Sequence, residues 1–271
     1  MKIGVLVGFN DNVKDELQKV KDFGLDSCQL VSWAPMAISE ELCKETREIA
    51  DNLGIEISLF WCGYSGPEVW DYIDGPSTIG LVPQETRKTR TEELKRGIDI
   101  ACWLGINDIA THVGFLPLNP KDEGYIGTVN AIKEIAQYGL KHNINFNFET
   151  GQETPMVLLR CITDVALPNL GINLDPANML MYGNGNPLDA LDIFGKHVRH
   201  IHAKDGEYPT DGHNLGIEKP LGDGRVNFKE LILKLKSLGY DGPLTIEREI
   251  SGEQQNEDIK RAVDILKELI N

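Results

Sequence analysis

Short apolar runs and longer amphipathic stretches alternate along the chain, and the alternation repeats eight times. Strand-like runs rich in Val, Ile, Leu and Phe occupy residues 2–9, 27–33, 55–63, 107–114, 144–150, 170–177, 198–205 and 243–249. Apolar residues recur at helical spacing over 13–23, 40–53, 84–104, 124–142, 154–167, 187–196, 228–238 and 256–270. Apolar strands separated by helices argue for a parallel sheet covered on both faces. Eight such units close into a barrel, and 271 residues suit one, since about 250 is usual for that architecture. The pattern predicts a single (β/α)8 TIM barrel over residues 1–271, with no linker to a second domain.

The punctuation agrees with this division. Gly24, Gly54, Gly105 and Gly239 stand just before strands, where a helix ends on a left-handed residue. Ser39 and Asn227 read as helix N-caps, the latter with Glu230 at capping-box spacing. Two connections, 64–83 and 206–225, are long and rich in Gly and Pro. Both follow strands, so in a barrel they lie over the C-terminal face as lids or substrate walls.

Bulk composition narrows the function more than the fold. A net charge of −15 with no compensating basic stripe disfavours nucleic acid and anionic membrane as partners. No apolar run approaches the roughly 20 residues that a membrane span needs. The N-terminal apolar run is followed by Asn10, Asp11 and Asn12 instead of a small-residue cleavage site, so it reads as a first strand and not as a signal peptide. Cys28, Cys43, Cys62, Cys102 and Cys161 are far apart and never form a CxxC pair. Structural zinc and disulfides are disfavoured, and reduced thiols in a cytoplasm are the simplest reading.

In such a barrel the residues at the C-terminal strand ends share one pocket. Period-two alternation places Asn145, Asn147 and Glu149 on one face, and likewise Asn173 with Asp175, His200 with His202, and Thr245 with Glu247 and Glu249. Glu149, Asp175, His202 and Glu247 therefore arrive at similar depth on four consecutive strands. Three carboxylates converging with an imidazole repel one another without a cation. This oxygen-rich set suits one divalent metal ion, Mn²⁺ or Mg²⁺ first, with Co²⁺ or Zn²⁺ as alternatives. His200, one layer deeper, reads as support for His202 and not as a further ligand.

Five stretches carry a family resemblance in this order: Asn147-Phe148-Glu149-Thr150-Gly151-Gln152-Glu153, Leu174-Asp175-Pro176-Ala177-Asn178, His200-Ile201-His202-Ala203-Lys204-Asp205, Pro220-Leu221-Gly222-Asp223-Gly224-Arg225-Val226-Asn227-Phe228 and Thr245-Ile246-Glu247-Arg248. The whole chain resembles the sugar phosphate isomerase/epimerase superfamily of xylose-isomerase-like TIM barrels, which includes the ketose 3-epimerases. The resemblance implies a divalent ion held by Glu149, Asp175, His202 and Glu247, with Glu149 and Glu247 exchanging protons with the carbon next to a carbonyl through an enediolate. It implies a small carbohydrate as partner and a homo-oligomer, dimer or tetramer. One position departs from the pattern. Ketose 3-epimerases commonly carry a histidine three residues after the ligand aspartate, where this chain has Asn178, which donates a hydrogen bond but carries no charge.

Further candidates for substrate contact stand at other strand ends. His112 reads as either a hydroxyl contact or a hydrogen-bonded structural histidine. Trp33 and Trp61 offer indole faces for the apolar side of a sugar ring, or else belong to the core. Lys204 and Asp205 could orient His202 or pair with each other, and Arg225 and Lys219 are the candidates for gripping a phosphate on the substrate. Keto-inositol dehydration and hydroxypyruvate isomerisation would use the same metal and base. An endonuclease-IV-like repair enzyme fits less well, because that family uses more histidines and a basic surface. A non-catalytic sugar-binding barrel would be expected to have lost the ligands.

Overall fold

The computed structural model describes residues 1–270. Its elements run β1 (Ile3–Gly8), α1 (Val13–Asp22), β2 (Ser27–Ser32), α2 (Glu40–Leu53), β3 (Glu56–Cys62), α3 (Gly75–Thr78), α4 (Gln84–Leu104), β4 (Asp108–Thr111), α5 (Glu123–Lys141), β5 (Asn145–Glu149), α6 (Pro155–Val165), β6 (Leu170–Leu174), α7 (Pro176–Met181), α8 (Pro187–Phe194), β7 (Val198–Ala203), β8 (Asp205–Gly206), β9 (Glu218–Lys219), α9 (Phe228–Ser237), β10 (Leu244–Ile246) and α10 (Glu253–Ile270). Eight parallel strands close in the order β1-β10-β7-β6-β5-β4-β3-β2, which is the predicted barrel. The remaining pair, β8 and β9, is a small antiparallel ribbon outside it.

Alternation along the strands separates two interiors. Outward side chains such as Phe146, Phe148, Ile172, Leu174, Ile201 and Leu244 join the apolar layer beneath the helices. Inward side chains are largely polar, among them Gln29, Asn147, Asn173, His202 and Thr245, all fully buried. Leu59, Trp61 and Ala110 form a separate apolar patch inside the barrel. Helix ends follow the sequence closely. Ser39 caps α2 through Leu42 N, Asn227 caps α9 through Glu230 N, and Gly24, Gly54, Gly105 and Gly239 all have positive φ.

Four strands end two or more residues earlier than their apolar runs suggested: β4, which stops at Thr111, and β6, β7 and β10. β6 stops at Leu174 because Asp175 turns to cap α7, its carboxylate accepting from Asn178 N at 2.8 Å with Pro176 at the first helical position. β7 stops at Ala203, since Asp205 and Gly206 leave the barrel to pair with Lys219 and Glu218. β10 keeps only three residues, and Glu247 lies just beyond it.

The two long connections are built segments. Asp205 accepts from four backbone N–H groups, those of Gly206 (2.8 Å), Gly222 (3.0 Å), Gly224 (3.2 Å) and Val226 (3.0 Å), and so pins 220–226 to the end of β7. Gly224 is required there, because a Cβ would lie 2.1 Å from the Asp205 carboxylate. Over 64–83 the organiser is Arg90 of α4, fully buried, whose guanidinium donates to the carbonyls of Ser65, Pro67, Thr78 and Gly80 at 2.7–3.0 Å and packs over the Tyr64 ring. Removing it leaves four carbonyls without that donor. Arg90→Met should cost about 3 kcal/mol of unfolding free energy in urea titration and speed proteolytic cleavage within 64–83. An unchanged midpoint and cleavage rate would show that the loop holds itself.

Candidate functional site

The four predicted ligands do meet. One side-chain atom from each of Glu149, Asp175, His202 and Glu247 lies within 4.8 Å of all the others. His202 Nδ1 faces Glu149 Oε1 at 2.9 Å, Glu247 Oε2 at 2.8 Å and Asp175 Oδ2 at 4.0 Å. On the other side of the ring, Nε2 meets Gln29 Oε1 at 2.9 Å, with the Asn173 amide at 3.0 Å. In the tautomer that donates from Nε2 to Gln29 Oε1, Nδ1 turns its lone pair to three carboxylates. Burial opposes a charge on the ring, but Glu247 and Glu149 favour positive charge at Nδ1 and push His202 well above the usual imidazole range, so this position suits a proton or a metal ion. A ring nitrogen that donates to a fixed acceptor while its partner nitrogen is aimed at acidic groups is the usual arrangement of a metal-ligating histidine.

The donor set fits a divalent ion on a second count. Asp175 uses Oδ1 for the α7 cap and leaves the fully buried Oδ2 without a hydrogen-bond partner. Thr150 holds this residue in place, its hydroxyl donating to Asp175 O at 2.8 Å and accepting from Asp175 N at 2.9 Å. Burial pushes Asp175 well above the usual carboxylate range, with Lys204 only partly offsetting it. Burial also opposes ionisation of Glu149 and Glu247, yet both lie below their ordinary range. His112 and His202 hold Glu149 down, and Lys204 and His202 hold Glu247 down.

Lys204 lies beside the cluster with 1% of its surface exposed. Its ammonium is 2.9 Å from Glu249, 3.6 Å from Asp175 and 3.7 Å from Glu247, and it donates to Asn178 Oδ1 at 3.3 Å. Asn178 is therefore tied to the lysine. His112 Nε2 lies 3.5 Å from Glu149 Oε2, and the Trp61 indole N–H donates to the same carboxylate oxygen. A cavity of about 650 Å³ opens over this floor, lined by Trp33, Trp61, Trp70, His112, Gln152, Asn178, Met181 and Tyr182 among others.

Three candidates stand apart, among them Lys219, which lies outside the cavity lining and 3.5 Å from Glu207. Arg225 is exposed and outside the cavity lining, while His200 is buried away from the ligands, 3.6 Å from the Asp108 carboxylate that also accepts from Asn145 and Asn147. Gln29, Trp70, Gln152 and Tyr182 escaped the reading of the sequence. Gln29 left one clue, a polar residue on the inward face of an apolar strand, whereas Trp70 sits in an aperiodic loop.

Set beside known proteins, the xylose isomerase-like TIM barrel family matches residues 17–269. The chain belongs to that family. A xylose isomerase domain protein from Planctomyces limnophilus is 36% identical, with 99% of this chain and 96% of that one covered and a TM-score of 0.93. An uncharacterised protein from Methanocaldococcus jannaschii is 28% identical over 287 residues, covering 100% of this chain and 89% of the relative. A D-psicose 3-epimerase from Clostridium cellulolyticum H10, solved with D-tagatose, shares the fold at a TM-score of 0.75 and 16% identity, with 100% of both chains covered. Among the described residues, no helix is long and apolar enough to cross a membrane.

One buried acid near the site behaves differently from the cluster. Neither carboxylate oxygen of Glu153 has a hydrogen-bond partner, and burial, helped by the charge of Glu149, pushes the carboxyl up from its ordinary 4.5 to about 8. The folded chain then holds a proton that the unfolded chain has released between these values, so this group makes stability fall as pH rises from 4.5 to about 8. Glu153→Gln should match the parent at pH 5 and exceed it by roughly 2 kcal/mol, about 5 °C in Tm, at pH 8. A difference between the two proteins that does not change with pH would refute the assignment.

Proposed function

We propose that this member of the family is a divalent-metal-dependent isomerase or epimerase of a small sugar, acting by proton transfer next to a carbonyl. The supporting observation is the His202 Nδ1 lone pair ringed by Glu149, Asp175 and Glu247 at the floor of an aromatic-walled cavity. Those four residues would hold the ion. When bound, it supplies positive charge to substrate oxygens and stabilises the negative charge that develops as a proton leaves carbon.

The chain's own residues do the rest. Glu149 and Glu247 are the proton carriers in this reading: the one that takes the proton is ionised, and the one that returns a proton has first gained it from solvent. They reach the floor from strands three places apart around the barrel, so they approach a bound sugar from different sides. One can take a proton while the other returns one, which inverts the carbon between them. The Trp61 indole and His112 fix the carboxylate of Glu149, while His202 and Lys204 fix that of Glu247. Rigid support of this kind keeps each base within reach of one position on the substrate. Trp33, Trp61 and Trp70 form an aromatic wall on one side of the cavity, and the side chains of Gln152 and Tyr182, whose polar atoms have no hydrogen-bond partner, offer contacts for sugar hydroxyls. The D-psicose 3-epimerase similar in fold acts on a substrate of this class.

Metal analysis of the purified protein should find about one divalent ion per chain. Glu149→Gln should leave the fold intact and slow solvent-deuterium exchange into sugars about 10³-fold. His202→Ala should weaken metal binding about 100-fold, whereas His200→Ala should leave metal binding alone and cost about 1–3 kcal/mol of stability. Failure to bind any divalent ion at millimolar concentration, or full exchange by Glu149→Gln, defeats the proposal.

A further inference from the structure

The charges and the aromatic wall of the cavity bear on the class of sugar, and this inference rests on the function proposed above. The cations nearby are already committed. Lys204 is held by Glu249 at 2.9 Å, Arg248 by Glu218 and Asp258 at 2.8 Å each, and Lys19 by Glu16 at 2.5 Å. Lys219 lies 3.5 Å from Glu207, and neither it nor Arg225 lines the cavity. His112 faces Glu149. Against these stand the carboxylates of Glu149, Asp175, Glu247 and Glu249, which, when all are ionised around a bound doubly charged ion, outnumber that ion and Lys204 together by one negative charge. A phosphate group is recognised by free Arg forks, Lys or clustered N–H donors. This floor supplies none to spare and repels an anion.

The rim is built differently. Trp33 and Trp70 line the cavity yet remain 43% and 39% exposed. Their rings meet edge to face at 6.0 Å, with Trp61 behind Trp33 at 4.7 Å and His112 beside Trp70 at 5.2 Å. Gly63 allows this packing, since a Cβ there would lie 2.6 Å from the Trp33 ring. Two ordered indoles left open to water form a platform for another ring, and the C–H face of a sugar suits it. Trp33 and Trp70 stand behind Trp61 and His112, the two groups that touch Glu149, so a sugar whose carbonyl end occupies the floor directs its far end toward this platform.

We propose that the substrate is an uncharged glycoside, a keto sugar whose reacting end meets Glu149 and Glu247 and whose second ring, joined by a glycosidic bond, lies against Trp33 and Trp70. The test uses Mg²⁺-loaded protein in D₂O with lactulose, D-fructose and D-fructose 6-phosphate, reading C–H exchange by NMR and binding by indole fluorescence, with phenyl β-D-glucoside as a second binding probe. Lactulose should exchange with a kcat/KM about tenfold above that of D-fructose, with the phosphate slowest, and both two-ring probes should quench the indoles. Trp70→Ala should lower the lactulose-to-fructose ratio about tenfold, and Trp70→Phe should restore most of it. Preference for D-fructose 6-phosphate, or a ratio unchanged in Trp70→Ala, overturns the inference while leaving the isomerase reading in place. If no sugar exchanges, the isomerase reading fails and the fluorescence series decides alone, with absence of quenching by both two-ring probes overturning the glycoside assignment.

Discussion

A ring nitrogen pointed at three carboxylates is the constraint on which the rest of this structure turns. Left alone, Glu149, Asp175 and Glu247 would repel one another across a few ångströms of largely dry interior, where charge is weakly screened. His202 sits between them and can meet them only through Nδ1, because Gln29 occupies Nε2 from the far side of the barrel. The floor is thus a socket with fixed polarity. Lys204 balances the outer edge of the cluster without entering the ring of ligand atoms, and Thr150 ties the ends of β5 and β6 at the depth the socket needs.

Strand geometry accounts for how much of this could be read in advance. Alternation has a period of two, so the polar residue at each strand end declares both its face and its depth. For that reason the barrel and the meeting of Glu149, Asp175, His202 and Glu247 were legible. Period-two logic also placed His200 beneath His202, where it takes up the Asp108 carboxylate in the next layer down.

Loops obey no such period, and there the sequence said less. Trp70 sits on 64–83 and gains its place from Arg90, a residue on a helix whose charge gives no hint that it is buried against four carbonyls. Asp175 offered competing local signals, since an apolar run continued past it while Pro176 opened a helix, and the cap won. Arg225 had the right chemistry for a phosphate but lies in a segment whose course is set by Asp205, which carries that side chain outside the lining.

The Arg90 clamp has an evolutionary corollary. It grips backbone oxygens of the 64–83 segment, and every residue type presents the same carbonyl. Side chains along that wall can therefore be exchanged by mutation without releasing the segment from the barrel. A lineage carrying this clamp is free to try new walls over an unchanged floor, so the chemistry can be inherited while the choice of substrate drifts.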